Sequence, residues 1–251
     1  MGAAGIAVLV ALVLAGGDRA SASRYKDTNP VVTDGVTLFK VTPEITPPPG
    51  VPTVKRVEPL IKRGPITAEK EPIEPPEVDV VFVLDTTGSM SGLISGAKRK
   101  IWSMANQIVS GQPRPDVRIG LVGYRDRGDA YVTRRYQLTE NIDDVYSRLQ
   151  RFRADGGGDT PEHVNRALAD ALRRMDWRQG QKVLKLVFLV GDAPPHEGRD
   201  GLHSSALARE ATKKGIIINT VRCGRMGSTA VAWKRIASLS GGRYASIRQD
   251  G

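Results

Sequence analysis

Cysteine is nearly missing from this chain: Cys223 stands alone among 251 residues, so no internal disulfide can form. No histidine or second cysteine flanks it, and its place just past the apolar run 216–221 points to a packed thiol at a strand end rather than a nucleophile. Aromatic residues make up only 5% of the chain and fall into no RNP-like pattern, and helix-turn-helix and zinc-finger spacings are absent. Nucleic acid is therefore not the expected partner, although the net charge is +10. That charge suits an acidic or anionic surface, or a solvated basic face. Long apolar runs are also lacking. The one at the N-terminus, centred on Ile6 to Leu14, is shorter than the roughly 20 residues that span a bilayer. It leads into Ala20-Ser21-Ala22, a small-residue cleavage pattern, so residues 1–22 are read as a signal peptide and the protein as exported to periplasm, cell surface or medium. No Lys or Arg precedes the apolar stretch, which keeps an uncleaved N-terminal membrane anchor as the alternative. Lipid attachment has no support, because the leader holds no cysteine and position 6 is Ile rather than Ser or Thr.

Proline and charge divide what remains. Eleven of the sixteen prolines lie between Pro30 and Pro76, and residues 1–77 carry nine basic and nine acidic side chains. Residues 23–77 therefore read as an extended, semi-rigid stalk, and the whole net positive charge falls on residues 78–251, the one segment able to build a core.

That segment opens with Val78-Asp79-Val80-Val81-Phe82-Val83-Leu84, a run apolar enough for a central strand buried on both faces. Helical spacing follows in Ile94, Ala97, Ile101, Met104 and Ile108, then a second buried strand over 117–124 and a polar, edge-like strand over 131–138. Further helices are expected over 141–152, 161–175, 204–214 and 229–239, and strands over 182–190, 216–222 and 243–247. Pro161 suits the first turn of its helix. Strands alternating with helices mean right-handed parallel crossovers and a doubly wound α/β sheet with helices on both faces. A helix covering the last strand would complete such a sheet, and none is expected before Gly251.

Ligands of open α/β sheets collect beyond the carboxyl ends of the strands. Three polar loops fall there: Asp85-Thr86-Thr87-Gly88-Ser89, Gly156-Gly157-Gly158-Asp159-Thr160 and Gly191-Asp192. Their donors are carboxylates and hydroxyls, the set preferred by a hard cation such as Mg2+, or Mn2+ or Ca2+. Taken singly, Asp85 is equally well explained as a helix cap, the glycines as a turn and Asp192 as a loop tether; their combination in chain order is not. Together these loops resemble the metal-ion-dependent adhesion site (MIDAS) of von Willebrand factor type A (vWA) domains, in a secreted bacterial form, and the resemblance covers Val78 to about Ile247. It implies a six-stranded Rossmann-like sheet with one antiparallel edge. It also implies Asp85, Thr87 and Ser89 as first-loop ligands, Asp159 or Thr160 as the second-loop ligand and Asp192 as the third. Thr87 replaces the serine common in the family and keeps the hydroxyl.

The function so implied is cation-dependent protein binding, in adhesion or assembly, with the ion gripping an Asp or Glu of a protein partner at a membrane or cell surface. Arg125 and Arg127 end the second strand on the same rim, where they face either a partner carboxylate or internal partners at Asp126 and Asp129. His196, seven residues before His203, is expected to contact a partner or solvent rather than to bind zinc. Enzyme readings fare worse. Ser89, Asp192 and His196 follow hydrolase order, but Met90 occupies the place of the nucleophile in Gly88-Ser89-Met90-Ser91-Gly92. An aspartyl phosphotransferase would want a carboxylate where Thr87 stands. A basic binding module without metal is the remaining alternative.

Overall fold

The computed structural model describes residues 74–157 and 160–247. The expected signal peptide, nearly all of the stalk, and Asp159 lie outside the described residues. Six strands form one sheet: β1 (Glu77–Asp85), β2 (Asp116–Tyr124), β3 (Thr133–Thr139), β4 (Leu184–Gly191), β5 (Ile216–Arg222) and β6 (Tyr244–Ser246). Their order is β3-β2-β1-β4-β5-β6, with β3 antiparallel to β2 and every other pair parallel. The doubly wound sheet with its antiparallel edge is thus the one expected, and the reversal of strand order falls beside β1.

The apolar run of β1 is explained by its two neighbours and two covered faces. Val78, Val80, Phe82 and Leu84 join one core, Val81 and Val83 the other. Helices α1 (Ile94–Val109) and α2 (Ile142–Arg151) cover the first face, with Ile94, Ala97, Ile101, Met104 and Ile108 of α1 buried at helical spacing. Helices α3 (Val164–Arg173), α4 (Ser204–Lys213) and α5 (Gly227–Leu239) cover the second through Leu168, Leu207 and Trp233. Local chemistry sets the ends of α2. Asn141 accepts a hydrogen bond from the Asp144 N–H at its start, and Lys98 donates to the carbonyls of Gln150 and Phe152 at its finish, where a cation favours the helix dipole. Among the described residues no helix is long and apolar enough to cross a membrane.

The boundary expected at Pro161 moves furthest, by three residues. The helix anticipated from Pro161 begins at Val164, because Glu162 enters a parallel bridge with Pro195. The Glu162 N–H donates to the Pro194 carbonyl at 2.9 Å, and the His196 N–H donates to the Glu162 carbonyl at 3.0 Å. The chain before α3 is thereby an extended tie to the loop after β4.

Inside the apolar run of β1, Asp79 is fully buried and directly opposite Arg118 of β2. Arg118 grips both of its oxygens, from Nε at 3.0 Å and from its NH2 group at 2.8 Å, and the Arg178 N–H adds a third bond at 2.7 Å. Removing one side of such a buried pair strands the other. Asp79→Ala is expected to destabilise the domain by about 3 kcal/mol, whereas Asp144→Ala, which breaks the half-exposed pair with Arg148 on α2, should cost about 0.5 kcal/mol or less. Chemical denaturation of the two variants checks the contrast.

Candidate metal centre

Extended backbone sends alternate side chains to opposite sides, and the turn after β1 keeps that alternation. Thr86 points one way, donating its hydroxyl to the Tyr124 carbonyl and meeting the Tyr131 hydroxyl at 2.8 Å. Asp85, Thr87 and Ser89 point the other way and form a chain of oxygens. The Thr87 N–H and hydroxyl both donate to Asp85 Oδ1, at 2.9 and 2.7 Å. The Thr87 and Ser89 hydroxyls lie 3.0 Å apart, and Ser89 donates to Asp192 Oδ1 at 3.0 Å. Asp85 and Thr87 are fully buried while Ser89 is exposed, so the oxygens climb from the core to the surface. Met90, fully buried in the following 3-10 turn, anchors the loop to the core beneath.

The loops are held together by backbone. The Gly88 N–H donates to the Gly156 carbonyl at 2.9 Å, an approach so close that a Cβ on Gly88 would lie 2.7 Å from that oxygen. Gly191 leaves similar room: a Cβ there would sit 2.7 Å from the Cβ of Asp85 and 2.5 Å from the Tyr124 hydroxyl. Thr229, at the start of α5, donates to the Asp192 carbonyl at 2.7 Å and fixes the third loop.

Four of the residues singled out from the sequence therefore meet: Asp85, Thr87, Ser89 and Asp192. Thr160 is exposed and, among the described residues, takes no part in this hydrogen-bonded chain. The sequence reading passed over Glu162 and Tyr124. Glu162 is 2% exposed, and a Cβ on Gly157 would lie 3.5 Å from its Oε1 and 3.2 Å from the Cβ of Thr87. Tyr124 donates its hydroxyl to Asp85 Oδ2 at 3.2 Å. The Pro-Glu that follows Asp159-Thr160 was the available signal for Glu162; nothing in the sequence alone marks Tyr124.

Electrostatically the site is short of positive charge. Burial pushes the Asp85 carboxyl up to about 7, with the Asp192 carboxylate adding to the rise and the bonds from Thr87 and Tyr124 opposing it. Burial also raises Asp192, against the bond from Ser89. The Tyr124 hydroxyl is held well above its ordinary range by burial and by the carboxylates of Asp85, Asp192 and Glu162. Cys223 is 1% exposed, the packed strand-end thiol expected, and its thiol is pushed up to about 12 by burial and then by Asp85 and Asp192.

The rim differs from expectation. Arg125 is 6% exposed and spends its guanidinium inward, donating to the carbonyls of Thr86 and Arg153 and pairing with Asp155 at 3.3 Å. Burial of its head leaves it supporting the rim from beneath rather than facing a partner. Arg127 is exposed and paired with Asp200. The Arg127 N–H donates to Asp126 Oδ1 at 2.9 Å. Asp129 accepts from the Asp126 and Gly157 N–H groups. His196 is not on the solvated rim: it is packed against His163 and Asp126, while His203 pairs with Glu197. Ser89 donates straight to Asp192, so no imidazole stands between them in the manner of a hydrolase triad.

Comparison with known proteins agrees with this architecture. Over 121 residues the chain is 33% identical to an ariadne-like RING finger protein of Acanthamoeba polyphaga mimivirus, covering 47% of this chain and 11% of that one. Over 122 residues it is 34% identical to von Willebrand factor A domain-containing protein 7 of Homo sapiens, covering 49% and 12%. This chain thus spans only a small part of those relatives' length. Among solved structures, BatB from Bacteroides thetaiotaomicron superposes with a TM-score of 0.53 at 17% identity, over 68% of this chain and 90% of that one. Proximal thread matrix protein 1 of the mussel byssus, with a zinc-occupied MIDAS motif, gives 0.54 at 17% identity, over 70% and 43%. Residues 79–249 match the von Willebrand factor A domain. The chain belongs to the von Willebrand factor A domain family.

Proposed function

We propose that the domain is a cation-dependent protein-binding module whose ion is held by Asp85, Thr87, Ser89 and Asp192, with Asp159 or Thr160 supplying the second loop. The observation that carries this reading is the single run of oxygens from Asp85 to Asp192, buried at one end, open at the other, and containing two carboxylates with raised proton affinity. Oxygen donors without thiolate or imidazole fit a hard ion, Mg2+ first and Mn2+ or Ca2+ next. Such an ion supplies positive charge to the buried carboxylates and, with several neutral hydroxyl ligands, keeps enough of it to attract an Asp or Glu of a partner. The protein of the mussel byssus, whose MIDAS holds zinc, is precedent for a cation in this fold. We further infer an exported protein, with residues 23–77 as the stalk that presents the domain at a membrane or cell surface.

Asp85→Ala should abolish binding of Mg2+ or Mn2+ by calorimetry while circular dichroism stays that of the native fold; retained affinity defeats the reading. Partner capture should vanish with chelator and return with Mg2+. Binding that ignores chelator and falls steeply with salt would instead favour the basic metal-free module.

The carboxyl of Asp85 also fixes a pH dependence. Unfolded, it titrates near its ordinary value of 3.8; folded and without cation, near 7. Between these limits the folded state keeps a proton that the unfolded chain has lost, so stability falls as pH rises from about 4 to about 7 and stays low above. Asp85→Asn should remove that slope and, in chelator at pH 8, leave the variant more stable than the parent by about 4 kcal/mol. Divalent cation should stabilise the parent and not the variant. Since protons compete with the ion, apparent affinity in the parent should drop by about tenfold per pH unit below pH 7. Thermal unfolding and calorimetry across pH 5–8 measure both.

A further inference from the structure

We propose that Asp126, His163 and His196 form a second metal site, separate in its ligands from the oxygen-lined centre, that takes a borderline transition cation such as Zn2+ and clamps three loops of the rim. The inference does not depend on cation binding at Asp85. One donor atom from each of the three residues lies within 4.8 Å of the other two. They come from far apart in sequence: Asp126 from the loop after β2, His163 from the residue before α3, and His196 from the loop after β4.

The cluster is assembled with two of its members buried and His196 12% exposed at its side chain. Asp126 is 5% and His163 3% exposed. His163 Nδ1 is hydrogen-bonded to Asp126 Oδ1, His196 Nε2 stands 3.7 Å from Asp126 Oδ2, and the two imidazole rings meet edge to face with centroids 5.4 Å apart. Each ligand is also fixed through its backbone. The Asp126 N–H donates to Asp129, the His163 carbonyl accepts from Arg166 and Ala167 in the first turn of α3, and the His196 carbonyl accepts from the Asn165 side chain.

What points to a ligand is the imidazole nitrogens. His163 Nε2 and His196 Nε2 are both buried without a hydrogen-bond partner. Buried polar atoms are ordinarily satisfied, and leaving one bare costs about 1–3 kcal/mol. His163 Nδ1 and His196 Nε2, from different loops and both turned to the one carboxylate of Asp126, make a donor set that a cation satisfies. Imidazole with carboxylate favours Zn2+ and its neighbours over Mg2+ or Ca2+, and three protein donors leave one position of a tetrahedral ion for a further ligand. Burial lowers the proton affinity of His163 against the pull of Asp126, with Arg199 and His196 adding to the lowering, which favours the neutral ring that binds metal. Arg199, 39% exposed at its side chain, stands 3.6 Å from Asp126 Oδ1 at the solvent side of the cluster.

The test uses the full chain carrying Asp85→Asn, so that zinc at the oxygen-lined centre does not confuse the readout, in millimolar Mg2+. This protein should bind one equivalent of Zn2+, gain thermal stability from it, and give with Co2+ the visible d–d absorption of a low-coordinate nitrogen and oxygen site. Adding His196→Ala should weaken Zn2+ by at least about 100-fold and remove both the stabilisation and the Co2+ spectrum, with native circular dichroism retained. His163→Ala should do the same. Should that more buried change prevent folding, His196→Gln, which keeps a polar side chain of similar reach, supplies the second variant and should also lose the metal. Failure of the Asp85→Asn protein to take up Zn2+, or equal uptake by the His196 variants, overturns the proposal, and neither result bears on Mg2+ binding by the parent.

Discussion

The structure turns on a buried carboxylate that, among the described residues, has no cationic partner at the end of its central strand. β1 carries two fully buried aspartates six residues apart, and their surroundings are opposite. Asp79, near the start, is gripped by Arg118 and Arg178 and behaves as an internal fastening between strands. Asp85, at the finish, receives hydrogen bonds from two hydroxyls and one amide, and its neighbouring charge is another carboxylate. A fold that needed Asp85 only for cohesion would gain by replacing it with a neutral residue, because burying a charge against hydroxyls alone costs more than it returns. The cost is sensible where an external cation completes the charge balance. Position explains the difference too: the carboxyl ends of the strands beside a reversal in sheet order are where loops diverge and leave room for a ligand.

Holding that carboxylate ready requires the loops around it to be stiff, and small residues and backbone bonds provide this. Gly88 lets the first loop touch the second, Gly191 lets β4 pass beside Asp85 and Tyr124, and the Glu162–Pro195 bridge ties the segment before α3 to the loop after β4. Because the contacts are made by main chain, the side-chain oxygens remain available. A site set this way spends little on reorganisation when an ion arrives.

Much of this was legible in the residues. Runs apolar on both faces belong to interior strands, so β1, β2 and β4 could be placed from composition, and the Arg- and Thr-rich β3 announced itself as an edge. The alternation in Asp85-Thr86-Thr87-Gly88-Ser89 carried the first loop of the centre because period two is a local property. What failed to appear was non-local. Arg125 looked like a rim residue because nothing in the chain shows that Thr86, Arg153 and Asp155 gather around it. Pro161 read as a helix start because the competing attraction, a strand-like bridge to Pro195, lies more than thirty residues away. His196 was weighed against His203, its neighbour in sequence, whereas its partner in space is His163.

That last substitution changes how the rim is understood. The loop bearing Asp192 reaches His196 four residues later, and the segment bearing Thr160 reaches His163 three residues on. On the two proposed assignments, donor sets of different hardness share two of their loops. Ligand type rather than affinity is what separates metals competing for neighbouring sites, so such a rim can sort a hard ion from a borderline one without any difference in access. The same assignments carry a mechanical coupling, since an ion that drew the imidazoles together would hold the loop from which Asp192 projects against the segment before α3, and that spacing would set how many oxygens an ion at Asp85 could reach.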